Sequence, residues 1–98
     1  MSLPLVFRPE VQDDVDEAWA WYEKQRTGLG DEFLDEVRAT LNRITEAPTL
    51  YAEVHRGARR ALTARFPYAV FFRVEEARIL VLAIVHGHRR PAIWRGRA

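Results

Sequence analysis

Seven consecutive apolar residues, Ile79-Leu80-Val81-Leu82-Ala83-Ile84-Val85, constrain this chain more than any other stretch, and four of them are β-branched. A strand with one wet face alternates apolar and polar residues, so an unbroken run predicts a strand covered on both sides. The run is too short to span a bilayer. It leads directly into His86-Gly87-His88-Arg89-Arg90-Pro91-Ala92-Ile93-Trp94, which gathers two imidazoles, two guanidiniums and an indole within nine residues. That stretch reads as a functional site or as a polar strand end.

The rest of the chain supplies what such a strand must pack against. Leu3 to Phe7 predicts a short first strand, and Pro9 suits the first position of a helix. Val11, Val15, Ala18, Trp19 and Tyr22 then draw one stripe at helical spacing, with Trp21 off its centre. Arg26-Thr27-Gly28-Leu29-Gly30 interrupts the pattern, and Phe33, Leu34, Val37, Leu41 and Ile44 form a second stripe closed by Pro48. So short a loop predicts an antiparallel helical hairpin. Beyond Leu50 the period shortens to that of strands. Tyr51 to His55 reads as a short strand or irregular connection. Arg60 to Phe66 reads as an alternating strand with Leu62, Ala64 and Phe66 on one face. Tyr68 to Glu75 follows, and Glu75-Glu76-Ala77-Arg78 is a tight turn into the final strand. The expectation is an α+β fold: an N-terminal strand and a two-helix hairpin on a mainly antiparallel sheet, in the order β-α-α-β-β-β, forming a single domain over residues 1–98. Two helices cover one sheet face. The apolar surface left over, including Phe71, predicts a partner chain as its cover.

Charge divides the chain as clearly as periodicity does. Residues 1–50 carry five Lys/Arg against eleven Asp/Glu, whereas residues 51–98 carry ten Arg, no Lys and three Glu, although the whole chain is only +1. Arginine alone favours planar, bidentate contact with phosphate or carboxylate, so an anionic partner is implied for the second half. There is no cysteine, hence no disulfide framework and no thiol chemistry. No signal peptide or membrane span is recognisable, which places the expected location in the cytoplasm.

Three chemistries compete for the basic stretch. His86 and His88 have an H-x-H spacing seen in metal sites, but the neighbouring arginines repel a cation, so no metal or other cofactor is expected. A ribonuclease reading uses His86, His88 and Tyr68 for proton transfer and Arg65 and Arg89 as phosphate clamps. A structural histidine at a strand end is the plainer reading of His86. Ser2 is the only serine, no Gly-x-Ser-x-Gly occurs and no glycine loop cradles phosphate, which excludes serine-hydrolase and nucleotide-fold readings.

Pro9-Glu10 before an acidic helix, Gly28 to Leu34 (Gly-Leu-Gly-Asp-Glu-Phe-Leu), Pro48, Arg65-Phe66-Pro67-Tyr68, and Val85 to Trp94 together resemble the RelE/ParE superfamily of toxins, most of all its ParE-type, plasmid-stabilisation branch. The resemblance implies a type II toxin with a cognate antitoxin as partner and no cofactor. It also implies DNA gyrase as the target in the ParE branch, or ribosome-bound mRNA in the RelE branch. Target- or antitoxin-binding residues by this resemblance and the charge pattern are Arg60, Arg65, Tyr68, Phe71, Arg73, Arg89, Arg90 and Trp94. Trp94 stands where RelE-type enzymes tend to carry a tyrosine, and an indole neither gives nor takes a proton in catalysis. The reading is therefore a toxin that binds gyrase without catalysing a reaction, with mRNA cleavage or plain nucleic-acid binding as the alternatives. A homodimer or a toxin–antitoxin hetero-oligomer both remain open, and no membrane partner is expected.

Overall fold

The computed structural model describes residues 2–87 and 91–98. The order is β1 (Leu5–Phe7), α1 (Glu10–Gln25), α2 (Leu29–Glu46), a single 3-10 turn (Pro48–Leu50), β2 (Glu53–His55), β3 (Ala58–Leu62), β4 (Tyr68–Val74), β5 (Ile79–His86) and α3 (Pro91–Arg97). The five strands form one sheet in the order β1-β5-β4-β3-β2, with β1 parallel to β5 and the other pairs antiparallel. This is the expected α+β architecture, extended by a third helix.

The hairpin of α1 and α2 covers one sheet face. Val11, Ala18, Phe33, Val37 and Ile44 meet Ala61, Val70, Phe72, Ile79, Val81 and Ile84 in one core, and each large aliphatic or aromatic side chain so buried contributes about 1.5–3 kcal/mol. The hairpin turns on Gly28, whose φ of 91° lies in the left-handed region that glycine enters without strain. The peptide N–H groups of Gly28 and Gly30 donate to the Glu23 carboxylate at 2.9 and 3.0 Å, satisfying donors that the start of α2 leaves open. A Cβ on Gly30 would lie 2.7 Å from the Trp19 indole, so this glycine sets how closely the helices approach. Trp19 is accordingly part-buried on its stripe, and its indole N–H donates to Asp31 at 3.0 Å.

Two expectations change. The strand read over Arg60 to Phe66 runs instead over Ala58–Leu62, with Ala61 buried and Leu62 exposed. The Thr63 hydroxyl donates to the Phe66 carbonyl at 2.6 Å and to the Tyr68 carbonyl at 3.1 Å, which closes residues 63–67 into a loop. The second change concerns the apolar surplus. The far face of the sheet, built from Ala58, Ala69, Phe71, Leu80, Leu82 and Ala83, is covered by the chain's own α3, whose Trp94 stacks on Phe71 with centroids 4.3 Å apart and planes 7° apart. Phe71 is fully buried.

Strand β5 is thus buried on both faces, as its unbroken apolar run requires. Its pairing with β4 slips between Phe71 and Phe72, so that Phe71 faces Ala83 while Phe72 faces Val81. Leu82 is the extra residue of a bulge, which turns Leu82 and Ala83 toward the same face.

Candidate functional site

The candidate residues fall on two sides of the sheet. Tyr68, the first residue of β4, lies on the helix side, where its ring packs against Phe33 at 5.0 Å and Tyr22 at 5.9 Å. It pairs in register with His86, and the two rings are 5.9 Å apart. Burial, together with the neighbouring Tyr68, pushes the Tyr22 hydroxyl above its ordinary pKa. Arg60, Phe71 and Arg73 sit on the opposite face, which α3 covers.

Arg65, in the loop after β3, is not aimed at either group. Its guanidinium lies 2.8 Å from Glu32 at the start of α2 and 5.1 Å from the centroid of the Phe66 ring. Glu32 also accepts from Arg26 at 2.8 Å. The hydrogen bonds from Arg26 and Arg65 hold the Glu32 carboxyl below its ordinary range. Glu32 thereby ties the end of α1 and the β3–β4 loop to α2.

Arg73 is occupied as well: it pairs with Glu75 at 3.3 Å and donates to the Ala98 carbonyl at 3.0 Å. Trp94 is core rather than contact surface, with only 6% of its area exposed, sandwiched between Phe71 and the edge of His55. Phe71 and Trp94 therefore leave the set of surface contacts, because each is the other's cover. His88, Arg89 and Arg90 lie outside the described residues. Of the proposed ribonuclease set, the structure brings Tyr68 and His86 together and sends Arg65 to Glu32. Among the described residues, no three or more of His, Cys, Asp and Glu gather as a metal site would require.

Two features escaped the sequence. The first is a clasp. Asp14 of α1 accepts from Arg97 of α3 at 2.6 and 3.2 Å and from the Ile84 peptide N–H at 3.1 Å, while Arg97 also donates to the Leu82 carbonyl at 3.1 Å. The carboxylate raises the Arg97 pKa above its ordinary value. Eighty-three positions separate the partners, so no local pattern announces them. The second is a groove of about 740 Å³ that begins at this clasp and runs between α1 and the end of β5, with Trp21 and Tyr22 on one wall and Tyr68, His86 and Ile93 among its other lining residues. Trp21 is 60% exposed at its rim. Its position off the buried stripe of α1 was the available signal.

The family model described as the ParE toxin of the type II toxin–antitoxin system, parDE, matches residues 5–91. The chain belongs to the ParE toxin family. A solved structure titled as the chromosomal ParDE TA system from P. aeruginosa superposes on this ParE-family chain with a TM-score of 0.77, at 17% identity, covering 87% of this chain and 96% of the other. At that identity the likeness is one of fold, and it supports the order of strand, helical hairpin and antiparallel sheet found here. No curated protein matches the sequence. The family match ends at Pro91, so most of α3, including Trp94 and Arg97, lies beyond it. Among the described residues of this ParE-family chain, no helix is long and apolar enough to cross a membrane.

Proposed function

We propose that this chain is the toxin of a type II toxin–antitoxin pair that arrests growth by binding DNA gyrase in the cytoplasm, and that a cognate antitoxin encoded beside it neutralises it. One observation supports binding over catalysis: Tyr68 and His86 lie together on the helix side of the sheet, while Arg65, a phosphate clamp in the ribonuclease reading, is held by Glu32. Proton transfer and phosphate clamping need such groups on one surface, within hydrogen-bond reach of one reacting phosphate. Family membership supports the toxin reading; the gyrase target and the antitoxin rest on the resemblance to the ParE branch.

The test is induced expression of the chain alone and together with the adjacent reading frame. Arrest with DNA-damage signalling when expressed alone, relieved by the second gene, is the expected result. A folded chain that leaves growth unchanged contradicts the reading. The ribonuclease reading is favoured by the closeness of Tyr68 and His86, whose rings are 5.9 Å apart at the groove mouth. It predicts that growth arrest disappears with His86→Ala and that transcripts are cut within codons.

A further inference from the structure

The space inside the helical hairpin is filled unevenly. Toward the turn at Gly28, the rings of Tyr22, Phe33 and Phe66 pack together with centroids 4.8–5.5 Å apart. Toward the start of α1 the facing side chains are shorter, Val11 and Val15 against Val37 and Leu41, and a cavity of about 380 Å³ lies among them, with Ile84 of β5 also in its wall. The polar side chains of its lining are Arg8, Gln12 and Arg38, and the lining holds no carboxylate.

Arg8 stands where β1 gives way to α1. Its peptide N–H donates to the Val81 carbonyl at 3.0 Å. Its side chain is less well served. Nη2 lies 3.6 Å from the Glu10 carboxylate, too far for a hydrogen bond, and the two side chains are 37% and 44% exposed, so water screens that contact. Among the described residues, Arg8 Nε is the one buried side-chain nitrogen or oxygen with no hydrogen-bond partner. A buried donor left in that state is unfavourable, and a guanidinium offers donors alone, so only an acceptor relieves it.

We propose that this cavity binds a medium-chain carboxylate, with its two oxygens on the Nε and Nη2 edge of Arg8 and its alkyl tail between α1 and α2. The Nε–H and an Nη2–H of a guanidinium point side by side, which is the spacing a carboxylate accepts bidentately. Two arginines without a carboxylate in the lining select an anion over a cation. The apolar remainder selects a tail over a second charged group, because burying a charge without a partner is costly. The volume lies near the small end of ligand pockets and suits about a dozen heavy atoms, the size of decanoate. A cavity set between two helices favours a small molecule over the flat face of a macromolecule. This site is independent of the toxin reading.

The experiment titrates the full chain with decanoate, decanol and decylammonium and follows it by NMR. Decanoate is expected to saturate at one molecule per chain, moving the Arg8 Nε–H resonance and the methyl groups of Val15, Val37 and Leu41. Decanol is expected to bind more weakly and to leave the Arg8 Nε–H in place, and decylammonium is expected not to bind. Arg8→Met is expected to weaken decanoate about tenfold and to leave decanol unchanged. Glu10→Gln, which removes the carboxylate nearest Nη2, is expected to strengthen decanoate. Arg60→Met, which removes a guanidinium beside Phe71 on the opposite face of the sheet, is expected to change neither. Equal binding of all three ligands, binding that never saturates, or a change of less than about twofold for Arg8→Met overturns the proposal. Should Arg8→Met fail to fold, the native chain decides: an Arg8 Nε–H resonance unmoved at saturating decanoate overturns it. A blocked Leu-Glu-Leu peptide that displaces decanoate at a lower concentration than decanoate itself needs assigns the cavity to a partner protein's side chains, and overturns it as well.

Discussion

Removing Asp14 tests how the third helix is held. In the native chain its carboxylate accepts three hydrogen bonds, two from Arg97 and one from the Ile84 peptide. The side chains of Arg97 and Asp14 are only 16% and 10% exposed, so solvent does little to replace them. Asp14→Ala leaves a guanidinium without its counter-charge and a strand-edge N–H without its acceptor. Breaking a buried pair from one side costs about 3–5 kcal/mol, and at the rim of a small domain the lower end applies, about 3 kcal/mol. For a domain of this size each kcal/mol moves the midpoint by about 4–8 °C, so thermal unfolding followed by circular dichroism is expected to fall by about 12–24 °C. The double variant Asp14→Ala/Arg97→Met is expected to cost less than the two single changes added together, with a coupling of about 1–3 kcal/mol, because it removes both charges. A midpoint shift below about 4 °C for Asp14→Ala, equivalent to less than 1 kcal/mol, or strict additivity in the double variant refutes the clasp as a determinant of stability.

Two further outcomes follow from the same packing and electrostatics. Trp94→Ala removes the ring stacked on Phe71 and opens the far face of the sheet, and is expected to cost about 3–5 kcal/mol and to promote self-association, checked by chemical denaturation and light scattering; a loss below about 1 kcal/mol places α3 outside the core. The Glu32 carboxyl, held down by Arg26 and Arg65, stabilises the chain fully above its ordinary value of 4.5 and loses that contribution as pH falls below it through the lowered folded value. Glu32→Gln is therefore expected to flatten the acid limb of the stability profile, and an unchanged limb contradicts the role given to this carboxylate.

The helical hairpin was legible because Val11, Val15, Ala18 and Tyr22, and then Phe33, Val37 and Ile44, repeat at the period of the surface they bury. Strand β5 was legible for the complementary reason, since an unbroken apolar run has no face to give to water. The limit came where structure depends on contacts distant in sequence. Helix α3 carries two large apolar side chains, Ile93 and Trp94, too few to draw a stripe, and its anchor Arg97 finds Asp14 across the whole chain. The surplus apolar surface was real in the sequence, but its cover was internal. The bulge at Leu82 likewise escaped, because Leu82 and Ala83 look alike whether or not they share a face.

The site was less legible than the fold. Residue type and spacing grouped Arg65, Tyr68, Phe71, Arg73 and Trp94, yet alternation along β4 sends Tyr68 to one side and Phe71 and Arg73 to the other, and a carboxylate from α2 takes Arg65. What spacing missed was the groove, whose walls come from α1, β5 and α3 at once.

The central claim is that this ParE-family chain acts by binding gyrase rather than by cutting RNA. Its most direct test is the supercoiling of relaxed plasmid by purified gyrase with increasing amounts of the purified chain, beside translating ribosomes treated with the same preparation. The account predicts that supercoiling falls with dose while ribosome-bound mRNA stays whole; unimpaired supercoiling with mRNA cut within codons, abolished by Arg89→Ala, contradicts it.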